Sequence, residues 1–75
     1  MNEKIIKIIQ DVSQKSDVPA EDESLFDSGL LDSFALTDMV AALEQTFSIK
    51  IPDSDLNPRK FDTVEKIAAY VESRK

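Results

Sequence analysis

Apolar residues recur at helical spacing in three stretches of the chain and lapse between them. Ile5, Ile8, Ile9 and Val12 fall at i, i+3, i+4 and i+7, one stripe of a helix over residues 2–15. Leu36, Met39, Val40, Leu43 and Phe47 cluster within about 100° of arc at about 100° per residue, which predicts a second helix beginning near Ser33. Asp32 is its natural N-cap, since a carboxylate there accepts from the free N–H groups of the first turn. Val64, Ile67, Ala68 and Val71 repeat the spacing of the first stripe. Asp62 and Glu65 have capping-box spacing, so a last helix is expected from Asp62 or Thr63.

Between the first two stripes, residues 16–31 turn polar and include Pro19 and Gly29. They read as a long loop pinned by Leu25, Phe26, Leu30 and Leu31, and a loop of that length in a small domain is usually functional. The stretch DSDLNPRK, after Pro52 and broken by Pro58, has room for one short helical turn. No strand pattern competes. The expectation is an all-α bundle of four helices: three main ones, one short one, and a long first loop.

Composition bounds this picture. The chain has 75 residues, 41% of them hydrophobic, with no Cys and no His, which fits one domain over residues 1–75 held by an apolar core alone. The start MNEKIIKIIQ interleaves charge with isoleucine and has no long apolar run, so neither a signal peptide nor a membrane span is expected. The chain reads as a soluble, cytoplasmic monomer.

Charge is unevenly placed. The net charge is -6, yet residues 16–49 hold no Lys or Arg and eight acids, while the flanks hold seven acids and all nine bases. A field of that sign repels nucleic acid and anionic membranes and favours basic protein surfaces.

Several chemistries drop out. Without His or Cys, neither a Ser-His-Asp nor a Cys-His arrangement can be assembled, and zinc lacks its usual ligands. Asp53, Asp55 and Asn57 begin like a calcium loop, but Pro58 stands where glycine is required and Val64 where a bidentate glutamate is required. One glycine in the chain allows no glycine-rich phosphate loop. The paired acids Asp53 and Asp55, and the run Glu21-Asp22-Glu23, read as solvated faces. No catalytic or metal-binding residue is expected.

Two Asp-Ser pairs remain, in LFDSGLLDSFA. Ser28 before Gly29 is turn vocabulary. Ser33 follows the cap, at the first turn of a helix whose free N–H groups and dipole favour a negative group. Phe34 points about 160° away from the core stripe, beside Asp38, Ala41 and Gln45. With Glu44, these residues outline an apolar and acidic partner surface next to Ser33.

The run LFDSGLLDSFALTDMVAALEQTFSIKIP resembles the phosphopantetheine-attachment region of acyl carrier proteins, in which Gly-x-x-Asp-Ser-Leu or Gly-x-x-Asp-Ser-Met opens the second helix. Here the motif is Gly29-Leu30-Leu31-Asp32-Ser33-Phe34, and the likeness extends through Phe47 to FDTVEKIAAYV. Phe34 replaces the family's Leu or Met, and Ala35, Thr37 and Ala41 make the outer face smaller and less acidic than in fatty-acid carriers. PDSDLNPRKFDT also resembles the matching stretch of D-alanyl carrier proteins and other stand-alone carriers of amino acids.

The resemblance implies that a phosphopantetheinyl transferase, of the holo-acyl-carrier-protein synthase type, esterifies Ser33 with 4'-phosphopantetheine from coenzyme A. It implies a thioester carrier that serves an acyl- or aminoacyl-activating ligase and downstream transferases with basic surfaces, in fatty acid or secondary metabolite biosynthesis. Asp32 and the helix-two acids would help to dock them. The residues alone also admit an acidic helical interaction module without a prosthetic group, which explains the charge gap and Phe34 but gives Ser33 no part.

Overall fold

A computed structural model describes residues 2–75; Met1, the first residue of the expected domain, lies outside them. In chain order the elements are α1 (Asn2–Ser13), α2 (Ser33–Phe47), a 3-10 turn η1 (Asp53–Asp55) and α3 (Val64–Arg74). The architecture is all-helical, and among the described residues there is no strand. Where four helices were expected there are three and a single three-residue 3-10 turn. Residues 14–32 form turns and irregular backbone.

Each predicted stripe faces inward. Ile5 and Ile9 of α1, Met39 and Leu43 of α2, and Val64, Ile67 and Val71 of α3 are fully buried. Leu25 from the first connection and Phe61 from the second complete the same core. The helix α1 packs on both α2 and α3. No polar or charged side chain is buried among the described residues, so cohesion comes from apolar burial.

One helix end differs from the sequence reading, and at another the structure selects Thr63 from the two residues expected. The first helix stops at Ser13 and does not reach Lys15, because Gln14 takes a left-handed backbone with φ 59°. Its N–H still bonds to the Gln10 carbonyl at 2.9 Å, so the last turn closes before the chain leaves. The start of α3 is capped by Thr63, whose side chain accepts from the Lys66 N–H at 3.0 Å. Asp62 is engaged elsewhere: Oδ1 accepts from the Ser24 hydroxyl at 2.7 Å, and its carbonyl accepts from the Leu25 N–H at 2.6 Å. Together with the Glu65 N–H donating to the Glu21 carbonyl at 3.1 Å, these bonds moor the first connection to the foot of α3.

The second connection is moored differently. The Glu44 carboxylate accepts from the Ile51 N–H at 2.9 Å. Asp55 accepts from the Lys60 ammonium and from the Tyr70 hydroxyl, both at 2.6 Å. Tyr70 in turn packs edge-on against Phe61 with ring centres 5.0 Å apart. Arg74 lies over the outer side of the Tyr70 ring and donates to the Lys50 carbonyl.

Candidate functional site at the start of helix two

Successive turns deliver the chain to α2. The Asp27 N–H donates to the Ser24 hydroxyl at 3.0 Å, the Ser28 N–H to the Ser24 carbonyl at 3.1 Å, and the Gly29 N–H to the Phe26 carbonyl at 3.2 Å. Gly29 sits at φ 83°, a conformation in which a side chain would be strained. Leu30 and Leu31 then enter the core, and the Leu31 N–H bonds to the Leu25 carbonyl at 2.9 Å. Two buried leucines immediately before the helix therefore fix which way its first residues face.

Asp32 is the cap expected from the sequence. Its backbone is extended, with φ −124° and ψ −179°, and its Oδ1 accepts from the Ala35 N–H at 2.8 Å. Its carbonyl accepts from the Leu36 N–H at 3.1 Å and starts the helical ladder. Ser33 and Phe34 occupy the first two helical positions, where backbone N–H groups have no partner within the helix.

The two serines part here. Ser28 Oγ donates to the Leu25 carbonyl at 3.3 Å, a bond internal to the turn. Ser33 is exposed, and among the described residues its hydroxyl makes no hydrogen bond. Phe34 beside it is 84% exposed and lies outside the core. Asp38 and Ala41 continue the exposed face of α2. Glu44 does not share in that face: it is half-buried, and its carboxylate is held by Ile51.

A groove runs beside Ser33 between the end of α1 and the start of α2, with a volume of about 360 Å³. Asp32 and Phe34 form one rim and Val12, Ser13 and Lys15 the other. Helical periodicity carries no signal for this groove, because Lys15 reaches it only after the left-handed turn at Gln14. Among the described residues there is no cluster of three or more His, Cys, Asp or Glu placed to hold a metal ion. Among the described residues no helix is long and apolar enough to cross a membrane.

A small all-helical scaffold thus sets an exposed serine directly after the aspartate cap of α2. Residues 3–71 match the family model described as the phosphopantetheine attachment site. The D-alanyl carrier protein of Lactobacillus acidophilus is 38% identical over 69 residues, which cover 92% of this chain and 87% of that protein. The D-alanyl carrier protein of Streptococcus pyogenes serotype M5 is 35% identical over 72 residues, covering 96% of this chain and 91% of that one. The chain belongs to the phosphopantetheine-binding acyl carrier protein family, and its cofactor is covalently bound 4'-phosphopantetheine.

Proposed function

We propose that Ser33 is the attachment residue and that the chain is a stand-alone carrier of an aminoacyl group, D-alanyl by its likeness to the relatives named above. The observation that carries the assignment is the exposed, unengaged Ser33 hydroxyl directly after the Asp32 cap. The group fits there, because an anionic phosphodiester on Ser33 lies within reach of the free N–H groups and positive dipole end of α2. Ser28 offers no such surroundings.

In the modification, Ser33 Oγ forms the new P–O bond at the phosphorus of coenzyme A that bears the pantetheine, and that phosphorus breaks its bond to the bridging pyrophosphate oxygen. Adenosine 3',5'-bisphosphate leaves, and the serine proton passes to a base on the transferase. When bound, the group supplies a thiol on a flexible arm, to which a carboxylic acid is held as a thioester. The chain's own residues bind and present; they catalyse no step. Tethering keeps the cargo at high effective concentration for each docked enzyme.

Phe34, Asp38 and Ala41 form the docking face, with Asp32 at its edge, for the transferase and for a D-alanine-activating ligase. Glu44 serves the fold, through Ile51. A Cα radius of gyration of 10.9 Å, against about 11 Å for a single body of this length, supports one domain. The 3-10 turn at Asp53–Asp55 takes the place of the short fourth helix. A cytoplasmic site of action follows from the need for coenzyme A and an activated amino acid.

The test is loading. Protein treated with coenzyme A and transferase, then with a D-alanine-activating ligase, ATP and D-alanine, should gain the mass of a D-alanyl thioester that hydroxylamine removes. L-alanine and fatty acids offered with their own ligases should load far less. Preferential loading with a fatty acid would contradict the aminoacyl reading.

A further inference from the structure

The groove beside Ser33 does not end at Lys15. A second hollow of about 330 Å³ shares Lys15 and Leu30 with it and continues along the first connection, past Ser28 to Val18 and Pro19. Val18 is 69% exposed and, with Phe34, is one of two large apolar side chains left outside the core among the described residues. The two hollows adjoin at Lys15 and Leu30, so that a track across both would begin at the residues flanking Ser33 and finish at an uncovered apolar side chain.

Charge gives the track a direction. The first hollow carries two carboxylates, Asp32 and Asp38, and the second two more, Asp17 and Glu23, where only the uncharged part of an arm from Ser33 would lie. Among the described residues that line either hollow, Lys15 is the one base. It is also the last base before the gap that runs over residues 16–49. The wall carrying it is well built: the Lys15 N–H donates to the Ser13 hydroxyl at 3.2 Å, and the Gln10 amide donates to the Ser16 carbonyl at 3.1 Å.

Resting on the assignment of Ser33 as the attachment residue, we infer that the arm lies along this α1-side track, with its phosphate facing Lys15 and its thiol end toward Val18. The chemistry of the lining matches the arm. Its amide N–H groups would find acceptors in the hydroxyl oxygens of Ser13 and Ser28 and the carboxylates of Asp17 and Glu23, and its gem-dimethyl carbon would find Leu30. A larger and more apolar hollow of about 490 Å³ lies at the foot of α3, lined in part by Thr63, Lys66 and Ala69, but neither Asp32 nor Phe34 borders it.

The chain has no cysteine, so a nitroxide maleimide attaches only to the thiol of the arm. In the labelled holo-protein, amide signals of Ser13, Lys15, Val18 and Leu30 should broaden more than those of Lys66 and Ala69. Lys15→Gln should reduce that contrast by about two- to fivefold, the population shift that one exposed ion pair sustains. Broadening strongest at Ala69, or even over all faces, overturns the inference, and an unchanged pattern in Lys15→Gln removes Lys15 from it. Failure to gain the cofactor mass at all would instead contradict the assignment of Ser33.

Discussion

At the scale of single residues, the cap and the serine proposed as the attachment residue do separable work. Asp32 satisfies the Ala35 N–H, so Asp32→Ala should lower stability by about 1 kcal/mol, read from the urea midpoint. It should also slow transfer from coenzyme A beyond what that loss of stability explains. Phe34 is the opposite case. With 84% of its surface in water it contributes little to folding, so Phe34→Ser should stay within about 0.5 kcal/mol of wild type. The same substitution should raise the KM of the transferase and the ligase for the carrier, because it removes the apolar part of the proposed docking face. A melt shifted by more than that, with enzyme kinetics unchanged, would make Phe34 a packing residue. Glu44 looks like a docking acid in the sequence and behaves as a brace: Glu44→Ala should cost about 0.5–1.5 kcal/mol through the Ile51 N–H it abandons.

At the scale of elements, the connections are held by polar clasps, and the one at Asp55 depends on pH. The Lys60 ammonium on Oδ1, and then the Tyr70 hydroxyl on Oδ2, hold the Asp55 carboxyl below its ordinary range, against a smaller opposing effect of burial. A lowered carboxylate pKa stabilises the fold above the unfolded value, and that contribution is lost as pH falls through the lowered one. Wild type should therefore exceed Asp55→Asn in stability at neutral pH, and the difference should vanish in acid below the ordinary carboxylate range. Burial, and then the Asp55 carboxylate, push the Tyr70 phenol up, so the clasp also weakens when alkali removes that proton. An Asp55→Asn deficit that persists unchanged into acid would contradict the clasp. These ties also explain what periodicity could not reveal. The α2 stripe was legible because Leu36, Met39, Val40 and Leu43 repeat with the helix itself. Asp62 looked like a cap because it carries the right side chain one residue early; Ser24, far away in sequence, claims it in the fold and leaves the role to Thr63. The end of α1 at Gln14 left no mark in the hydrophobic pattern, since a positive φ at glutamine has no compositional signature. The candidate site was readable for the same reason as α2: its cap, its serine and its outward phenylalanine are consecutive.

At the scale of the whole molecule, one small core carries everything. A chain of 75 residues has about 4–11 kcal/mol of stability in total, while truncating a fully buried phenylalanine costs about 3–5 kcal/mol. Phe61→Ala should consequently bring the protein to the edge of unfolding at 37 °C, seen as loss of a cooperative thermal transition. The surface works at longer range. With eight acids and no base over residues 16–49, association with basic enzymes should slow as salt rises, chiefly through the on-rate. Core and field surround one exposed hydroxyl, that of Ser33, and its proposed modification is directly measurable. Tandem mass spectrometry of peptides from protein treated with coenzyme A and transferase should place the added 4'-phosphopantetheine on Ser33, with none on Ser28 and none at all in Ser33→Ala. Cofactor mass on Ser28, or on a Ser33→Ala protein that remains folded, would contradict the central claim.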